Sequence, residues 1–195
     1  MNGTPSRGGE EGAQKVAGDY EKRGVRGWEL ALRAVAFGLT LAAVVVLGTD
    51  KQTTTVPLQV SPSLPPLIVP VSAKWHYLSA FVYFVVANAV ACGYAALSLL
   101  LLFLISRGGK TAAFAVITII DIMMVALLFS SNGATTAVGI LGREGNSHVQ
   151  WNKVCNVFDK FCDRVAVAVV LSLVGSLGFV ILASFAIMGL HRRSN

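Results

Sequence analysis

Four long apolar blocks, separated by polar segments, dominate the pattern of the chain. The blocks cover residues 28–47, 78–105, 111–129 and 165–190. A helix rises about 1.5 Å per residue and the hydrocarbon core of a bilayer is roughly 30 Å thick, so each block is long enough to cross it. The pattern predicts an all-α membrane protein, a bundle of four transmembrane helices.

The segments between the blocks complete the predicted organisation. Residues 1–27 are rich in glycine and charge and poor in apolar side chains, so we expect a disordered tail. Residues 49–77 and 130–163 are predicted to be loops on one side of the membrane. Residues 191–195 form a short tail on the other side.

Composition agrees with a membrane protein. The chain is 54% hydrophobic and only 13% charged, and its formal net charge is +6. Such a charge is compatible with nucleic-acid binding, but the basic residues lie at the ends of the apolar blocks and form no continuous stripe. We therefore predict no nucleic-acid partner, and the lipid bilayer itself as the surrounding partner.

The distribution of lysine and arginine predicts the orientation. Of the 16 such residues, nine lie on the side of the two termini and six on the side of the two long loops, Arg33 being the remaining one. Basic residues are enriched on the cytosolic side of membrane proteins. Both termini are therefore expected in the cytosol and both long loops outside.

One acidic and one basic residue interrupt the apolar blocks. Asp121 lies near the centre of the third block and Arg33 near the start of the first. A charge at this depth is costly and needs a partner, and an extended arginine combined with helix tilt brings the two within reach. An ion pair is the favoured interpretation. In the alternative, Arg33 extends to the cytosolic headgroups while Asp121 is protonated or bonded to Thr118.

Small residues recur every four positions in three of the blocks, which permits close helix approach. Both intramolecular packing and contact between protomers fit this spacing. The three predicted ridges are Ala34, Gly38 and Ala42 in the first block, Ala87, Ala91 and Ala95 in the second, and Ala168, Ser172 and Ser176 in the fourth.

The chain has three cysteines. Cys155 and Cys162 lie close together in the second long loop, on the side where disulfides persist, so we predict a bridge between them. A zinc site is a weaker interpretation, because neither a second pair of cysteines nor a histidine with ligand spacing accompanies them. Cys92, inside the second block, is interpreted as a packing residue.

Catalytic chemistry is not indicated. The three histidines are isolated in loops or at a terminus, and no catalytic, cofactor-binding or metal-binding motif is present in the sequence. We therefore predict a protein that is not an enzyme and has no cofactor. A small ion or proton transporter that uses Asp121 is the alternative function.

Several stretches resemble the plant Casparian strip membrane domain protein-like (CASP-like) family, in its first subgroup. The similar stretches are LALRAVAFGLTLAAVVVLGTDKQT, FVVANAVACGYAALSLL, TIIDIMMVALLFSSNGA and WNKVCNVFDKFC. The resemblance implies a multi-pass plasma-membrane protein related to the MARVEL domain that forms homo- and heteromers. The family's intramembrane charges fall on Arg33 and Asp121, and its loop cysteines on Cys155 and Cys162.

The first long loop departs from the strip-forming members of this family. It reads KQTTTVPLQVSPSLPPLIVPVSAKWHY and has nothing similar to their short motif in that loop. The resemblance therefore implies a general scaffold that associates with itself and with related four-helix proteins to organise a membrane subdomain. A link to wall-modifying enzymes is the further expectation.

Overall fold

The computed structural model of the chain describes residues 7–58, 66–105, 111–149 and 151–194. Within them, side chains are placed for residues 27–57, 66–103, 115–148 and 151–189. Some predicted features lie outside these residues. They are the first six residues of the N-terminal tail, the middle of the first long loop, and the link that carries Arg107 and Lys110.

Four long helices form the body of the protein. They are α1 (Arg7–Gly48), α2 (Ser79–Ile105), α3 (Thr111–Glu144) and α4 (Asp159–Ser194). Each contains a stretch long and apolar enough to cross a membrane: Gly27–Gly48, Ser79–Phe103, Ala115–Glu144 and Asp159–Gly189. The predicted all-α bundle of four membrane helices is confirmed.

The N-terminal segment is helical, so the prediction of disorder over residues 1–27 is wrong for its described part. Helix α1 already begins at Arg7 and continues without a break to Gly48. Nucleation is the costly step of helix formation, and the apolar part of α1 supplies the nucleus. The Glu, Gln, Lys, Arg and Ala residues of this segment have good helix propensity, which favours extension of that helix.

Three of the predicted helix ends also differ from the structure. Helix α3 does not stop at Phe129 but continues through Glu144. Helix α4 begins at Asp159 rather than at residue 165 and ends at Ser194 rather than at residue 190, so most of the predicted C-terminal tail is helical. The apolar pattern ends at Phe129 because serine, asparagine and threonine follow. Ser131 and Asn132 are buried in the bundle, so these polar side chains continue the interior face of the helix.

The first long loop contains two β-strands that the hydrophobic pattern did not predict. Strands β1 (Lys51–Leu58) and β2 (Leu67–Lys74) pair in antiparallel register, with Lys51 opposite Lys74 and Leu58 opposite Leu67. Threonine and valine make up four of the eight residues of β1, and isoleucine and valine make up three of the eight residues of β2. These β-branched side chains suit extended backbone. The end of the bundle that carries this hairpin is called the loop end, and the opposite end is called the terminal end.

The helices are arranged as a ring. Helix α1 packs against α2 and α4, and α3 packs against the same two neighbours. Helices α1 and α3 therefore lie diagonally across the bundle. The α1–α4 contact is especially close, because a Cβ added to Gly175 would lie 3.3 Å from Thr40 Cγ2 and 3.4 Å from Leu39 Cβ.

Two apolar clusters fill the interior at different depths. The loop-end cluster consists of Ala43, Leu47, Phe81, Phe84, Phe161, Val165, Ala168 and Val169. The mid-bundle cluster consists of Ala36, Ala91, Ala95, Leu128, Phe179 and Leu182. Polar side chains from all four helices lie between the two clusters, and the ion pair described below adjoins the mid-bundle cluster on its terminal side.

Candidate functional site

Arg33 and Asp121 meet across the diagonal of the bundle. Arg33 projects from α1 and Asp121 from α3, and their side chains are 5% and 0% exposed. Arg33 Nη1 donates to Asp121 Oδ1 at 3.0 Å and Nη2 donates to Oδ2 at 2.7 Å. This two-point geometry matches the planar guanidinium to both carboxylate oxygens. These bonds lie within the bundle, so Arg33 does not extend towards the headgroups as in the alternative interpretation.

Helix α2 contributes two further groups to the pair. The Tyr94 hydroxyl lies 2.7 Å from Asp121 Oδ1 and 3.0 Å from the carbonyl oxygen of Ile117. Arg33 Nη1 also donates to Ser98 Oγ at 3.1 Å, and Ser98 donates to the carbonyl oxygen of Ala95 at 2.9 Å. The site is therefore a network that joins three helices, and we call it the charge network.

Sequence reasoning missed Tyr94 and Ser98. The available signal was their spacing, because residues four apart share one face of a helix. Serine and tyrosine cost far less in a membrane than a charge does, so neither residue demanded an explanation by itself. The partners of the Tyr94 and Ser98 hydroxyl groups become clear only when α2 is placed beside Arg33 and Asp121 at the same depth.

The carboxylate of Asp121 is enclosed, whereas one donor of the charge network is left over, because Arg33 Nε is buried and has no hydrogen-bond partner among the described residues. Both oxygens of Asp121 accept hydrogen bonds, and the side chain has no exposed surface. Leu32, Phe37 and Tyr94 pack against the neighbouring mid-bundle cluster. Through its hydrogen bonds, the carboxylate of Asp121 links α3 to α1 and α2.

The three predicted ridges have different environments. Those of α2 and α4 are buried inside the bundle, and their members are Ala87, Ala91, Ala95, Ala168, Ser172 and Ser176. On α1, by contrast, Ala34 and Gly38 are exposed and Ala42 is half-buried. A Cβ added to Gly38 would have no atom within 4 Å, so the protomer does not use the α1 ridge for close packing.

A disulfide joins Cys155 to Cys162, as predicted, with the two Cα atoms 5.7 Å apart. The backbone N–H groups of Val154 and Cys155 both donate to the carbonyl oxygen of Gly142, at 2.9 and 3.0 Å. Gly142 belongs to the last turns of α3 and Cys162 to the first turn of α4. The bridged loop therefore fastens these two helix ends to each other.

The base of β1 is anchored to the first turns of α4. Gln52 Nε2 donates to Asp159 Oδ1 at 3.2 Å, and the backbone N–H of Phe161 donates to Gln52 Oε1 at 2.8 Å. The first N–H groups of a helix have no partner within it, so Gln52 serves as a cap supplied by another segment. Beside it, Arg164 Nη1 lies 3.0 Å from Asp50 Oδ1.

Asp50 is an acidic group at the boundary between α1 and the hairpin. Its side chain is 1% exposed, whereas that of Arg164 is 56% exposed. Burial raises the pKa of Asp50 above its ordinary value, and the hydrogen bond and charge of Arg164 oppose that rise only in part. No sequence motif pointed to this pair, because both residues lie at the ends of apolar blocks where charges are ordinary.

No group of three or more His, Cys, Asp or Glu side chains with metal-binding geometry occurs in the described ranges.

Four membrane-spanning helices, an internal charge network and a loop end fastened by a disulfide define a small multi-pass membrane protein. Residues 22–178 of the chain match the family model of the Casparian strip membrane protein domain. The chain belongs to this CASP-like family, and the resemblance drawn from the sequence is confirmed.

Curated relatives cover nearly the whole chain. It is 57% identical over 166 residues to CASP-like protein 1E1 of Glycine max, covering 85% of this chain and 88% of the relative. It is 56% identical over 188 residues to CASP-like protein 1E2 of Vitis vinifera, covering 96% of each. Identity to CASP-like protein 1E1 of Arabidopsis thaliana is 48% over 173 residues, 88% of this chain and 90% of the relative. No solved structure matches the chain.

Proposed function

We propose that this protein is a plasma-membrane scaffold that associates with copies of itself and with related four-helix proteins to organise a membrane subdomain. The observation that carries the proposal is the exposed ridge on α1. Ala34 and Gly38 face away from the bundle, and the space around Gly38 is open. A contact surface of this kind has no use inside one protomer.

The physics of membranes favours helix contact at such a ridge. Lipid tails are as apolar as leucine, so helices associate in a bilayer through close packing rather than through the hydrophobic effect. Small side chains permit that packing because they let two backbones approach. The ridge therefore offers a second helix a better fit than the neighbouring Val35 and Leu41, which are also exposed.

The loop end gives the scaffold a defined outer surface. The disulfide fastens the second loop, and Gln52 and Asp50 fix the base of the hairpin on α4. The name of the matching family refers to the Casparian strip, and the resemblance drawn from the sequence implies a link to wall-modifying enzymes. We infer that this end contacts wall-modifying enzymes outside the plasma membrane. The alternative, a transporter that uses Asp121, lacks a free carboxylate oxygen for an ion or a proton.

The experiment compares two glycine-to-leucine variants. Gly38→Leu blocks the α1 ridge, and Gly93→Leu is a matched control because Gly93 is exposed on α2 with no atom within 4 Å of an added Cβ. Oligomer size in native membrane particles and lateral mobility of a fluorescent fusion are measured for both. We expect Gly38→Leu to lower the association constant about tenfold, equivalent to about 1.4 kcal/mol, and to increase mobility.

The control should keep wild-type oligomers and wild-type mobility. Equal oligomer size and equal mobility of Gly38→Leu and wild type would show that the α1 ridge is not a contact surface between protomers. A wild-type protein that is monomeric in native membranes, with unrestricted diffusion, would overturn the scaffold itself.

A further inference from the structure

A polar layer crosses the bundle between the two apolar clusters. It receives one fully enclosed side chain from each helix, and we call it the amide layer. Its members are Thr40, Asn88, Asn132 and Ser172, with exposures of 0%, 0%, 2% and 0%. The layer is separate from the charge network, because the mid-bundle cluster lies between them.

Hydrogen bonds already connect most donors of the amide layer. Asn132 Nδ2 donates to Ser172 Oγ at 3.0 Å and to the carbonyl oxygen of Leu128 at 2.8 Å. Asn88 Nδ2 donates to the carbonyl oxygen of Phe84 at 3.0 Å. Thr40 Oγ1 donates to the carbonyl oxygen of Ala36 at 2.9 Å. Cys92 is buried one turn from Asn88 on α2.

Two acceptors in the layer are left over. Asn88 Oδ1 and Asn132 Oδ1 are buried and have no hydrogen-bond partner among the described residues. A buried amide carbonyl without a partner costs about 1 to 3 kcal/mol, so native proteins bind such groups to protein or to ordered water. Two orphaned acceptors in one layer indicate donors that do not belong to the described side chains.

Local geometry brings the two amides to one level. Thr135 Oγ1 lies 3.3 Å from the carbonyl oxygen of Ala80, which sets the register between α3 and α2. Each asparagine bends back by one turn towards the start of its own helix, to Phe84 or to Leu128. Because α2 and α3 run in opposite directions, these bends point towards each other.

We propose that the amide layer is a binding site for internal water, which donates hydrogen bonds to Asn88 Oδ1 and Asn132 Oδ1. A water molecule has two donors, and a bridging hydrogen bond of about 2.8 Å from water is nearly as favourable as a direct one. A sodium ion also binds carbonyl and hydroxyl oxygens. The side chains that form the layer are uncharged, however, and a cation without a counter-charge is far more costly at this depth.

Radiolytic footprinting tests the site, because radicals formed from bound water oxidise neighbouring side chains. Cys92 is the reporter, since it is buried beside the layer. We expect oxidation of Cys92 in the wild-type protein, and a fall of at least about fivefold in the double variant Asn88→Leu/Asn132→Leu, which removes both acceptors at similar volume. Ser184→Ala, on the exposed side of α4, is the control and should leave oxidation unchanged.

Each single asparagine variant is measured as well, so that a folding defect of the double variant does not decide the result. Oxidation of Cys92 that is the same in wild type and in folded asparagine variants would overturn the proposal.

A second arm exchanges sodium chloride for choline chloride at constant ionic strength. An unchanged unfolding temperature is expected for a water site. An increase in unfolding temperature that occurs only with sodium, and that both asparagine variants abolish, would show that the layer binds a cation instead of water.

Discussion

At the scale of single residues, the two intramembrane charges are explained by each other. Arg33 and Asp121 are almost entirely buried, and two hydrogen bonds join the guanidinium of one to both carboxylate oxygens of the other. Removing one partner of a buried pair leaves an uncompensated charge, which typically costs about 3 to 5 kcal/mol. Replacing both partners by apolar side chains is often nearly neutral.

We expect Asp121→Asn and Arg33→Leu each to lower the free energy of unfolding by about 3 to 5 kcal/mol, and the double variant Arg33→Leu/Asp121→Leu to lose less than either. Denaturant titration of the purified protein in detergent provides the measurement. Arg143→Gln is the matched control, because Arg143 is exposed near the end of α3 and its removal should cost less. Additive losses in the double variant would contradict a direct pair.

A second residue-scale prediction concerns Asp50. Burial raises the pKa of its carboxyl group above the ordinary 3.8, so the folded state holds the proton more tightly than the unfolded state does. The contribution of Asp50 to stability is therefore greatest at low pH and falls as pH rises from 3.8 through the raised pKa. Above that window the ionised, buried group keeps a constant cost.

Asp50→Asn should remove this pH dependence. Relative to wild type, the variant should gain unfolding temperature as pH increases from 3.8 through the raised pKa of Asp50, and then stay level. Thermal unfolding at several pH values gives the comparison. A parallel pH dependence in both proteins would show that Asp50 titrates alike in the folded and unfolded states.

At the scale of secondary-structure elements, the second loop illustrates how a short covalent link fixes two helix ends. Reducing the bridge or substituting Cys155→Ser should lower the free energy of unfolding by about 2 to 3 kcal/mol, because the unfolded loop regains its entropy. Mass spectrometry of unreduced peptides should show Cys155 linked to Cys162. Cys92→Ser, which leaves the bridge intact, is the control, and free thiols at both loop cysteines would refute the prediction.

The sequence predicted elements well where hydrophobicity alone determines them. All four membrane helices were identified because long apolar blocks have few other stable structures in a bilayer. The extension of α3 past Phe129 was missed, since Ser131 and Asn132 look like loop residues until the interior face is known. The hairpin was missed because β1 and β2 gain stability from pairing across a loop, which a linear pattern does not encode.

The sequence likewise predicted only part of the candidate site. Depth along the helices was enough to suggest that Arg33 and Asp121 form a pair, but not to add Tyr94 and Ser98 from α2. Spacing also identified three small-residue ridges without distinguishing their roles. Only the rotation of each helix in the ring shows that the α1 ridge is exposed while those of α2 and α4 are buried.

At the scale of the whole molecule, an even number of spans places both termini on the same side of the membrane. The density of lysine and arginine predicts that this side is the cytosol. We expect a tag placed after Asn195 to be protected from protease in sealed, right-side-out vesicles, and a tag in the hairpin loop to be cleaved. The vesicles are opened with detergent as the control, and digestion of the C-terminal tag in sealed vesicles would reverse the orientation.

The diagonal position of the ion pair has a mechanical consequence. Four parallel rods that touch only their neighbours can shear from a square into a rhombus while every neighbour contact survives. A link of fixed length between opposite rods, here α1 and α3, suppresses that deformation. The cross-section of the protomer is therefore stiff, and the direction in which its α1 ridge faces is determined inside each copy. An assembly built from such units takes its geometry from the rigid shape of one unit.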